Sequence, residues 1–118
     1  MAKRSPRERL FDIAKCIEKI ERFLAGHDYD VFRTNALIHD AVARNLEIIS
    51  EASRHVPDEL KAKEPEIPWR EIRDFGNVLR HAYEGVNDPI LWKTIQNDLP
   101  RLSAAVQRLP SVSSESPP

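Results

Sequence analysis

Apolar positions recur at helical spacing along almost the whole chain. Leu10, Ile13, Ala14, Ile17, Ile20 and Leu24 form one stripe with charged residues between them, the pattern of an amphipathic helix. Ser5, Pro6 and Glu8 supply a cap, a first-turn proline and a capping-box acceptor at its start, and Gly26 stops it. His27-Asp28-Tyr29-Asp30 reads as a loop ending in a capping aspartate. Beyond it Val31, Ile38, Val42, Ile49, Ala52 and Val56 make a second stripe, with Leu37, Ala41 and Ile48 as its neighbour. No proline or glycine interrupts this run, which predicts one long helix over about 31–56.

Pro57 ends that helix, and residues 58–64 fit one or two further turns before Pro65. A third stripe over 69–86 places Ile72, Phe75, Leu79, Ala82 and Val86 on one side, with Pro68 near its first turn. A fourth helix follows Asn87-Asp88-Pro89, with Asp88 as the expected cap. It carries Ile90, Leu91, Ile95, Leu99, Leu102, Ala105, Val106 and Leu109, and Pro100 is expected to kink or restart it. No strand alternation and no internal repeat stands out. The chain reads as an all-α antiparallel helical bundle of four to five helices over residues 1–110. Residues 111–118, rich in serine and proline, read as a disordered tail. Broad apolar surfaces on long helices in so short a chain favour a homodimer.

Composition narrows the class. The chain has 118 residues, 41% hydrophobic and 31% charged, the balance of one soluble domain. No apolar run approaches the ~20 residues of a membrane span and no cleavable signal is visible, so a cytoplasmic protein is the default expectation. Cys16 is the sole cysteine and sits beside Ile13, Ile17 and Ile20, which makes it a buried thiol rather than a nucleophile or a disulfide partner. His27, His39, His55 and His81 are scattered without metal-ligand spacing, and Gly26, Gly76 and Gly85 are isolated. Neither a metal nor a cofactor is expected. A net charge of −1 argues against a protein that coats nucleic acid, but leaves room for a local basic patch.

Candidate chemistry gathers on the third helix. Arg73, Asn77 and His81 lie four apart and would stack on one face, with Asp74 and Arg80 at its edges and Tyr83 just beyond. One reading is an acid–base or phosphate-binding site; the other is a solvated face containing a histidine. Asn45 interrupts the second stripe between Val42 and Ile49, with Arg44 beside it. It is either satisfied locally by a backbone group or water, or it belongs to a polar pocket shared with Asn77 and His81. A metal-free ribonuclease needs few parts: an imidazole that titrates near neutral pH and moves a proton, and a cation or amide that stabilises charge on phosphate. A dimer would supply a second His81.

Three segments carry a family resemblance: residues 44–52 (RNLEIISEA), residues 67–72 (IPWREI) and residues 77–83 (NVLRHAY). Together they resemble the HepT-like family of the HEPN superfamily, in order, over nearly all of residues 5–109. The resemblance implies a dimeric helical bundle, the toxin half of a bacterial toxin–antitoxin pair, and a metal-independent endoribonuclease acting on RNA. It also implies a partner, an MNT-type nucleotidyltransferase antitoxin that silences the toxin by adenylylating a tyrosine. The family's motif is an arginine, four intervening residues, a histidine, one residue and a tyrosine. His81 and Tyr83 match, and Asn77 matches the polar residue after the arginine, but the arginine itself falls at Gly76. The resemblance thus implies His81 and Asn77 as catalytic, Tyr83 as the modified residue, and Arg73, Arg80 or Arg44 as the phosphate-binding cation. A member that has lost cleavage and kept RNA or antitoxin binding is the alternative. A mid-helix glycine costs about 1 kcal/mol against alanine, which suggests close packing or backbone approach at Gly76.

Overall fold

A computed structural model describes residues 4–85 and 87–109, with the backbone alone at Tyr83. The expected tail over 111–118 lies outside the described residues, as does Val86. The described residues form helices joined by turns and loops and contain no strand. Helix α1 spans Pro6–Leu24, and the Ser5 hydroxyl and Glu8 carboxylate close the capping box reciprocally, at 3.1 and 2.8 Å. Its stripe packs against α3 (Ala36–Arg54), the principal helix pair of the molecule.

The long second helix expected over 31–56 is two helices. α2 (Tyr29–Thr34) ends at Asn35, whose backbone is extended and whose side chain accepts from the Ile38 amide at 3.0 Å to start α3. An asparagine that caps the next helix ends the previous one as cleanly as a proline would. The cap before α2 is Asp28, accepting from Val31 N–H at 3.0 Å, rather than Asp30. This break turns Phe32 inward, where it is fully buried against Trp92 and His39, with ring centroids 5.4 and 5.0 Å away. It also leaves Leu37, expected on an apolar stripe, 81% exposed at the first turn of α3.

After α4 (Asp58–Lys61) come α5 (Trp69–Arg73) and α6 (Phe75–Leu79), both lying on α3. The last rod runs from α7 (Asp88–Lys93) through a π-turn over Thr94–Asp98 into α8 (Leu99–Arg108). The wider turn directly precedes Pro100, whose missing N–H removes one i→i−4 bond, so the expected disturbance appears there and the helix restarts. α8 packs on α1. Leu10, Ile17, Val42, Ile49, Leu91, Leu102 and Val106 meet in one core. Cys16 lies in that core, and burial pushes its thiol pKa up. No helix among the described residues is long and apolar enough to cross a membrane.

Candidate nucleic-acid interface

The third helix does not run unbroken from 69 to 86. At its first break the Ser50 hydroxyl of α3 donates to the Arg73 carbonyl at 2.9 Å, taking an acceptor the helical ladder would have used. The Asn77 amide donates to the Asp74 carbonyl instead, at 3.0 Å, which tightens the turn between α5 and α6. At the second break the Asn87 side-chain amide donates to the Val78 carbonyl at 3.2 Å, occupying a terminal acceptor of α6. His81 then leaves helical geometry (φ −117°, ψ 30°) and opens a 3₁₀ turn over Ala82–Glu84, closed by Gly85 at φ +73°. Glycine adopts that left-handed conformation without a Cβ penalty.

The expected single face of Arg73, Asn77 and His81 is therefore divided among α5, α6 and a turn. Asn77 and Arg80 remain together, the guanidinium donating to the Asn77 Oδ1 at 3.4 Å. His81 follows directly, exposed over 58% of its side chain, with Nδ1 2.7 Å from a Glu84 carboxylate oxygen. Arg73 is turned to Asp74, which it contacts at 3.0 and 3.5 Å; this pairing holds the Asp74 carboxyl below its usual range. Arg44 pairs with Glu47 and lines a different cleft, between α1 and α3, with Arg9 and Asp12. The Tyr83 side chain lies outside the described residues.

The expectation at Gly76 needs correction, and the two readings of Asn45 are resolved. A Cβ added at Gly76 meets nothing within 4 Å, so no close packing selects glycine there and a long side chain has room. Asn45 is buried and donates to the Ala41 carbonyl of its own helix at 2.9 Å, the local solution, while its Oδ1 has no hydrogen-bond partner.

Two relationships do not show in the apolar pattern. Asp88 is not an exposed cap: it is buried, and its Oδ1 lies 2.7 Å from Nε2 of His39 on α3. The pair borders a cleft of about 260 Å³ lined also by Arg33, Thr34, Ala82 and Gly85, so it fastens the chain just beyond the His81 turn to the bundle. The other is Glu84, whose i+3 spacing from His81 was a readable signal. Among the described residues no group of three or more His, Cys, Asp or Glu side chains is placed to hold a metal ion.

The described residues form an all-helical bundle, and comparison places the chain in a family of helical ribonucleases. Residues 13–109 match the family model described as Ribonuclease HepT-like, and the chain belongs to that family, within the HEPN superfamily. It is 43% identical over 107 residues to "Probable ribonuclease HepT" of Thermococcus cleftensis, covering 91% of this chain and 97% of the relative. It is 36% identical over 107 residues to a Methanocaldococcus jannaschii protein named provisionally as an RNase, covering 91% of this chain and 98% of the relative. A Caldanaerobacter subterraneus protein, named in the same provisional way, is 33% identical over 106 residues, covering 90% and 95%. No solved structure matches the chain at a significant level.

Proposed function

We propose that this protein is a metal-independent endoribonuclease in which His81 moves the proton. It would serve as the toxin of a bacterial toxin–antitoxin pair. The observation that carries the reading is an exposed imidazole, directly following the paired Asn77 and Arg80 in the sequence, in a chain of a ribonuclease family. Cleavage begins when a base removes the proton of a ribose 2′-hydroxyl, and imidazole is suited to that near neutral pH. Charge then gathers on the phosphate oxygens, where the Asn77 amide and the Arg80 guanidinium are the nearby donors. Arg80 is the better placed cation of those proposed, because Arg73 is engaged by Asp74 and Arg44 by Glu47. A homodimer would bring two His81 turns to one RNA, and the partner would be a nucleotidyltransferase that silences the toxin by adenylylating Tyr83.

Gly76 supports a second reading, a catalytically silent module that binds RNA or the nucleotidyltransferase. The test that separates them is cleavage of single-stranded RNA, with metals chelated, by wild type and by Gly76→Arg. Cleavage by the wild type is expected on the first reading. On the second the wild type is inert, and Gly76→Arg, for which the site has space, gains activity. Activity in wild type and variant only when metal is added back would overturn the metal-independent mechanism.

A further inference from the structure

Glu84 touches His81 twice. Its backbone N–H donates to the His81 carbonyl at 3.0 Å, and its carboxylate Oε1 lies 2.7 Å from His81 Nδ1. A 3₁₀ turn brings side chains at i and i+3 into register, so the short helix carries the carboxylate over the ring. Gly85 locks the turn, its N–H donating to the Ala82 carbonyl at 3.1 Å. The contact is a charge contact rather than a directed hydrogen bond, but an ionised carboxylate carries only acceptor lone pairs, so at this distance its charge favours the proton on Nδ1, and in the neutral ring Nε2 is then the basic nitrogen.

We infer that Glu84 is the positioning residue of this site: it fixes the Nδ1–H tautomer of His81 and aims Nε2 outward at the substrate's ribose hydroxyl. The inference rests on the reading of His81 as the proton-transfer group. In the step it serves, Nε2 takes the hydroxyl proton as the 2′-oxygen bonds to phosphorus. The bond from phosphorus to the 5′-oxygen breaks, and that oxygen leaves as an alcohol with a proton from solvent, which later takes back the one held on Nε2. While the imidazolium exists, the Glu84 carboxylate offsets its charge, as a carboxylate does for histidine in other proton-transfer sites. Arg80, beside His81 in the chain, counters the repulsion this carboxylate would exert on a phosphate.

The test pairs two readouts on wild type and Glu84→Ala, with circular dichroism confirming the fold. Nitrogen-15 NMR of the resting protein is expected to show His81 as the Nδ1–H tautomer in wild type, and a shift toward Nε2–H in the variant. RNA cleavage is expected to lose about tenfold or more in kcat, with KM within about twofold, and Glu84→Asp should recover part of it. An unchanged tautomer overturns the inference whatever the rate does, and so does a shifted tautomer with an unchanged kcat. A wild type inert toward RNA whose tautomer still depends on Glu84 upholds the Glu84–His81 contact and sinks the ribonuclease reading instead.

Discussion

His39 and Asp88, 49 residues apart in the chain, meet in the interior at 2.7 Å between Nε2 and Oδ1. Their contact ties α3 to the start of α7, the segment that follows the His81 turn. Removing one partner leaves the other buried without it, which costs about 1–3 kcal/mol. Asp88→Ala is therefore expected to lower the urea midpoint by that equivalent. It should also speed amide hydrogen exchange at residues 82–85 more than in α1. Unchanged stability and exchange would mean that the pair anchors nothing.

At Gly76 the prediction runs the other way. The position is exposed, lies in the first turn of α6, and has open space where a Cβ would stand. Arginine favours helix over glycine by up to about 1 kcal/mol. Gly76→Arg should melt at the same temperature as wild type or higher, and a clear drop would contradict the open environment.

The Glu64–Arg108 pair makes stability depend on pH. The Arg108 guanidinium donates to both Glu64 carboxylate oxygens, at 3.2 and 2.6 Å, and holds that carboxyl below its ordinary value. A pKa lowered by folding contributes stability above the carboxyl's unfolded value, and that contribution disappears as pH falls through the folded one. Arg108→Ala should therefore differ from wild type more at about pH 7 than at about pH 3. Denaturant titrations at both values check this, and a gap that widens in acid would refute it.

Cys16 should behave as part of the core. Burial raises its thiol pKa and leaves it 5% exposed, so a water-soluble thiol reagent should label it only as fast as the protein opens. Rapid labelling of the native protein would contradict its position.

What the sequence disclosed depended on the range of the interaction responsible. The start of α1 was legible because Ser5 and Glu8 lie within one turn, and the core stripes were legible because their period is local. The break at Asn35 hid behind a residue tolerated inside helices, and only its role as a cap reveals it. The break at Asp74 was not legible, because the hydroxyl that takes the Arg73 carbonyl belongs to Ser50, 23 residues earlier. Asp88 looked like a cap for the same reason: nothing near it in the chain announces His39. At the candidate site, His81, Asn77 and Arg80 stand out by spacing, but the helix face expected to unite them with Arg73 gives way to these long-range contacts. Glu84 is legible by its i+3 spacing from His81.

The acid–base role of His81 is tested most directly by cutting a single-stranded RNA in excess chelator with wild type and His81→Ala side by side. Wild type is expected to cleave, and the variant to cleave at least about 100-fold more slowly while retaining the same fold. Equal rates from the two proteins would contradict that role.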